Sequence, residues 1–87
     1  MSGERTVYLT EKVTLVFLMD FVRAANNLSS YVLVEKEGTK LNAKSLLSMS
    51  ALKGYSGKIS IIASGVDSKE ALEILRNHCS TAHRRSV

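Results

Sequence analysis

The residue types that could do chemistry in this chain gather in Asn42-Ala43-Lys44-Ser45-Leu46-Leu47. Ser45 stands where a short strand stops and an apolar helical spacing begins, so its hydroxyl can accept from the unpaired N–H groups of a first helical turn. The same place suits an anion. A phosphate on Ser45 would add about 1.5 to 2 negative charges at a helix N-terminus, with Lys44 and Lys40 as counter-charges. No other constellation competes with it: there is no cluster with metal-ligand spacing, no nucleophile with a nearby base and no phosphate-binding glycine motif. No metal, no cofactor and no enzymatic activity are therefore expected. Gly54, Gly57 and Gly65 read as turn residues. Asp20 has neither pocket nor partner and is expected to face solvent. His78 and His83 lie near the C-terminus, without a setting for catalysis. The single Cys79 cannot close an internal disulfide, which agrees with a reducing compartment.

The elements that position Ser45 follow from periodicity. Thr6-Val7-Tyr8-Leu9-Thr10 alternates, so Val7 and Leu9 face a core and Tyr8 faces away. Residues 14–27 carry helical spacing, with Leu18, Phe21, Val22, Ala25 and Leu28 on one buried stripe, broken at Ser29-Ser30. Tyr31-Val32-Leu33-Val34-Glu35-Lys36 is a second strand with Val32 and Val34 inward; it hairpins through Glu37-Gly38 into a short third strand whose inward residue is Leu41. A short helix over residues 46–52 and a loop over 53–57 lead to a fourth strand at 58–64, with Ile59, Ile61 and Ala63 inward. Asp67, with Glu70 three residues on, has the spacing of a capping box ahead of a last amphipathic helix traced by Ala71, Leu72, Leu75 and Cys79.

This order of elements allows a sheet whose helices all cover one face. The chain has 87 residues, 45% of them hydrophobic, with no Pro and no low-complexity run, which fits one globular domain over 1–87, frayed from about residue 81. The apolar run 13–22 is about half the roughly 20 residues a spanning helix needs, and Asp20 interrupts it, so no membrane partner is expected. It also lies too far in, without a cleavage site, to be a signal peptide, and a cytoplasmic location follows. The formal charge of +4 sits largely in Arg76, Arg84 and Arg85, and with three Tyr and two Phe there is no basic stripe interleaved with aromatics. Nucleic acid is not an expected partner.

Asn42-Ala43-Lys44-Ser45-Leu46-Leu47, preceded by Glu35-Lys36-Glu37-Gly38 and followed by Gly65-Val66-Asp67-Ser68-Lys69-Glu70-Ala71-Leu72, resembles the HPr/Crh family, the small phosphocarriers and regulators of the bacterial sugar phosphotransferase system. The resemblance runs over residues 7–77 and is strongest in the second half. It implies an α+β open-faced sandwich: a four-stranded antiparallel sheet in the order one, four, two, three, with three helices on one face. HPr carries its phosphoryl group on a histidine at the start of the first helix, in a Gly-Leu-His-Ala-Arg-Pro-like run. Counting back from Gly38, this chain has Lys12 for the glycine, Thr14 for the histidine, Val16 for the arginine and Phe17 for the proline. A threonine hydroxyl lacks the imidazole nitrogen that makes a labile phosphoramidate, so no histidyl phosphocarrier activity is expected.

The resemblance further implies phosphorylation of Ser45 by a dedicated serine kinase and binding of the product to a transcriptional regulator. Leu46 and Leu47 match partner-binding positions. Within the same helix the family's glycine is Ser48 and an exposed methionine is Ser50. Val16, Phe17 and Met19 fall off the buried stripe and, with Leu46 and Leu47, form a candidate protein-binding surface. Two readings follow. One is a regulatory adaptor switched at Ser45; the other is an unswitched binding or self-associating scaffold that uses this surface or Tyr8, Leu33 and Ile62 on the open sheet face, as in a homodimer.

Overall fold

Alternation of side chains carries the first strand further back than the clean pattern at Val7 and Leu9: β1 is Ser2–Leu9, with exposure alternating along its length. The computed structural model describes residues 2–84, with side chains up to Ser80. Helix α1 (Leu15–Asn26) follows, then β2 (Tyr31–Lys36), β3 (Thr39–Asn42), α2 (Leu46–Met49) tightening into a 3-10 turn (Ser50–Leu52), β4 (Gly57–Ser64) and α3 (Ser68–Arg84). The expected fraying begins at about residue 81, whereas α3 continues to Arg84; residues 85–87 lie outside the described residues.

The described strands form one antiparallel sheet in the order β1-β4-β2-β3. Glu37 (φ 50°) and Gly38 (φ 84°) both take positive φ, the backbone of a type I′ turn, whose twist matches the strands it joins. Parity then decides which residues turn inward. Val32, Val34, Ile59, Ile61 and Ala63 are buried on the helical face, as their spacing predicts, and Leu41 joins them from β3.

From the helices come Leu18, Phe21 and Ala25 of α1, Met49 and Leu52 of α2 and its extension, and Ala71, Leu72, Leu75 and Cys79 of α3. Val22 and Leu28, expected on the buried stripe of α1, are half-buried at its margin and pack on this core from outside. Burying side chains such as Phe21 or Leu18 contributes about 1.5 to 3 kcal/mol each, so this core, rather than helix propensity, holds α1 in place. Helix α3 lies over β1 and β4 and touches α1, while α2 touches α1 and β3. Packing on a common core thus sets α1 beside α2, with the start of α2 against the end of α1 and the start of α1 against residues 54 and 55.

Asp67 departs from the sequence expectation. Its carboxylate does not turn back onto α3; Oδ2 accepts the N–H of Ser29 at 2.9 Å, and Oδ1 accepts the N–H of Ser30 at 2.9 Å and the Ser30 hydroxyl as well. Ser30 is fully buried, so this carboxylate satisfies polar groups that the α1–β2 loop could not otherwise pair.

Candidate functional site

Ser45 caps α2 as its sequence position predicts: Oγ accepts the N–H of Ser48 at 3.2 Å, from an extended backbone conformation. Around it the turn is closely tied. The Ser48 hydroxyl accepts the N–H of Asn42 at 3.0 Å, Ser45 N–H donates to Asn42 O at 3.1 Å, and Lys44 N–H donates to Asn42 Oδ1 at 3.0 Å. The Asn26 side chain, from the last turn of α1, donates to Lys44 O at 3.0 Å.

The two counter-charges expected beside Ser45 are placed differently. Lys44 Nζ donates to the Leu28 carbonyl at 2.8 Å, so its ammonium ties the α2 turn to the end of α1. Lys40 stands opposite Glu35 in the β2–β3 register, and since its neighbour Leu41 faces the core, strand alternation puts Lys40 on the open face. In the unmodified chain, Lys44 serves as structure.

At the start of α1 the Thr14 hydroxyl accepts the N–H of Phe17 at 3.1 Å, which makes it a helix cap. This start is fixed by a reciprocal backbone pair: Val13 N–H donates to Tyr55 O and Gly54 N–H donates to Val13 O, each at 2.8 Å. Tyr55 is in turn held by its hydroxyl, which donates to Lys58 O at 2.9 Å, and by Lys36, whose Nζ lies 4.8 Å from the ring centroid. Neither the α1 nor the α2 first turn carries an acidic residue. Asp20 is half-buried rather than turned fully to solvent, and His78 lies well along α3; the side chain of His83 is outside the described residues.

Among the apolar candidates, Val16 is 67% exposed, Met19 44%, Leu46 38% and Leu47 86%. Phe17 is different. It is half-buried against the core, its ring 5.8 Å from that of Phe21 and tilted by 43°, an i, i+4 contact that turns it inward. Leu15, which sequence reasoning missed, takes its place on the surface at 47% exposure; it lies four residues before Met19, the spacing that puts both on one side of α1. The exposed apolar residues are then Leu15, Val16 and Met19 on α1 and Leu46 and Leu47 on α2, two helices that touch.

The open-face trio is not brought together. Leu33 and Ile62 are direct cross-strand partners, but Ile62 faces Glu4 on β1, and Tyr8 stands opposite Lys58, two rows further along the same face. Cys79 is buried in the core, which pushes its thiol up to about 12 and leaves it unreactive. Among the described residues there is no group of three or more His, Cys, Asp or Glu that could hold a metal ion, and no helix is long and apolar enough to cross a membrane.

Comparison with known proteins adds four findings. Residues 18–80 match the family model described as the PTS HPr component phosphorylation site. Over 56 residues the chain is 45% identical to the HPr-like protein Crh of Bacillus subtilis, a match covering 63% of this chain and 66%, just under two thirds, of that protein. The fold matches HPr-C-His from Thermoanaerobacter tengcongensis with a TM-score of 0.80 at 30% identity, over 91% of this chain and 92% of that one. It also matches a crystal structure of Crh from Bacillus subtilis, described as a catabolite repression protein in a domain-swapped, intertwined dimer, with a TM-score of 0.68 at 33% identity over 86% and 87% of the two chains.

Proposed function

This chain belongs to the HPr family, and on that premise we propose that it is a regulatory or adaptor protein related to the sugar phosphotransferase system, not a histidyl phosphocarrier, and is switched by phosphorylation at Ser45. The observation that carries this reading is the start of α1. Thr14, the residue reached at the family's histidine position by counting back from Gly38, is an alcohol occupied in capping Phe17 N–H. An unactivated hydroxyl forms a stable phosphate ester rather than a labile phosphoramidate, so it cannot relay a phosphoryl group onward.

At Ser45 the expected step is ordinary ester formation. Its Oγ attacks the γ-phosphorus of ATP held by a serine kinase, the hydroxyl proton passes to a base of that kinase, and ADP leaves. The product carries a dianionic group beside Leu46 and Leu47, and the exposed side chains Leu15, Val16, Met19, Leu46 and Leu47 supply the apolar part of a contact with a transcriptional regulator. Phe17 supports that surface from beneath. The protein acts as one domain over residues 1–87 in the cytoplasm and is not an enzyme.

A second reading is an unswitched scaffold that uses the same surface, or a homodimer. It is favoured by the exposure of the five apolar side chains in the unmodified chain, and by relatives described as dimers. Intact-mass spectrometry separates the two. The chain is incubated with HPr kinase and ATP, and separately with enzyme I and phosphoenolpyruvate, with Ser45→Ala as control. One phosphate from the kinase, absent in Ser45→Ala, is the expected result. No phosphate from either leaves the scaffold; phosphate from enzyme I overturns the exclusion of phosphocarrier chemistry.

A further inference from the structure

Lys44 joins the Ser45 turn to a loop at the far end of α1. Its Nζ donates to Leu28 O at 2.8 Å from a half-buried position. The next two residues of that loop, Ser29 and Ser30, donate their N–H groups to Asp67 at 2.9 Å each. The short segment 28–30 is thus held on one side by an ammonium and on the other by a carboxylate. The Leu28 carbonyl is a neutral acceptor. A phosphate on the very next residue after Lys44 would be a dianionic one, and it offers the ammonium a Coulomb attraction between opposite charges that a neutral carbonyl lacks.

Resting on the reading of Ser45 as a phosphorylated residue, we propose that Lys44 is the relay of that switch: phosphate on Ser45 draws the Lys44 ammonium away from Leu28 O and frees one side of segment 28–30. The element with two arrangements is a single side chain, seated on Leu28 O in the unmodified protein and on the phosphate in the modified one. Consecutive positions make the exchange easy, since the flexible four-carbon stem only pivots about its own Cα. The Leu28 carbonyl, just past the end of α1, then turns to water as helix-end carbonyls commonly do. Asp67 still holds Ser29 and Ser30, and Asn26 still holds Lys44 O, so the loop gains motion without coming apart. Modification of α2 is in this way felt at the junction of α1, β2 and α3, a region that carries none of the exposed apolar side chains of α1 and α2 described above.

The test uses the full chain with phosphoserine built in at position 45 by genetic encoding, so that it does not depend on any kinase. Amide hydrogen exchange at Ser29 and Ser30 is followed by NMR against Val34 and Ile61, whose central-strand amides report global opening. Phosphoserine is expected to speed Ser29 and Ser30 at least about threefold relative to that reference. Lys44→Met should give the same acceleration without phosphate and gain nothing further from it, while Lys44→Arg should behave as wild type. In 31P titrations the phosphate's second pKa should be lower with Lys44 present than in Lys44→Met. Unchanged exchange in the phosphoserine protein, or an equal acceleration by phosphate in the Lys44→Met background, overturns the proposal. Failure of a kinase to modify Ser45 would instead remove the functional reading while leaving this result as measured.

Discussion

Asp67 and Ser30 meet across 37 residues of sequence: the carboxylate at the start of α3 accepts both the N–H and the hydroxyl of a serine that is fully buried at the start of β2. The hydroxyl of Ser30, followed by the N–H of Ser29, lowers the carboxyl pKa below its usual value of 3.8. A depressed native pKa means that the stabilisation is fully present above the unfolded-state value and is lost as pH falls through the native one.

Asp67→Ala should therefore be less stable than wild type at neutral pH, and the difference should shrink on acidification below about pH 4. Urea midpoints of both proteins from pH 7 to pH 2 check this. A gap that stays constant over that range would assign the loss to something other than the charged carboxylate.

Gly65 makes the same junction possible. With φ at +146° and an added Cβ only 2.9 Å from the Ser30 Cα, Gly65→Ala meets backbone as well as strain, and should cost more than about 1 kcal/mol. Gly3→Ala offers the contrast, because there the new methyl meets only Leu72 Cδ1 at 2.9 Å, the end of a flexible side chain. Thermal melts of the two variants should rank Gly65→Ala well below Gly3→Ala.

Leu47 and Phe17, read alike in the sequence as surface anchors, should separate on mutation. Leu47→Lys places a charge on a side chain that is 86% exposed and should change stability by less than about 0.5 kcal/mol. Phe17→Ala removes a ring stacked against Phe21 and should cost about 1 to 3 kcal/mol. Equal effects in urea melts would contradict the division of the surface made above.

Local pattern carries most of the fold. Val32, Val34, Ile59 and Ile61 alternate, and the sheet places each of them inward; the Ser45 cap also follows from its neighbours alone. The misreadings share a cause. Asp67 has the spacing of a cap for its own helix, and nothing local to it reveals that the Ser29-Ser30 loop arrives from 37 and 38 residues away with three donors to satisfy. Tyr8 turns to the open face as parity requires, but its neighbour depends on register, and β1 pairs so that Lys58 rather than Ile62 lies opposite. Phe17 lies beside the stripe on a helical wheel, and the signal that it turns inward was present in Phe21, four residues on. Lys44 could be placed near Ser45 by sequence, yet its preferred acceptor, a carbonyl at the end of α1, exists only once α1 and α2 have packed.

The backbone pair between Val13 and residues 54 and 55 bears on when the exposed face of α1 comes into being. On the ribosome, the first helix emerges about forty residues before the strand of chain that clamps its start, and a helix of 12 residues does not persist unaided in water. The orientation of Leu15, Val16 and Met19 is thus decided only after Tyr55 has been synthesised and the loop has closed. A protein that recognises this face consequently proofreads the state of the chain: it finds its target on the finished molecule and not on a nascent or half-folded one.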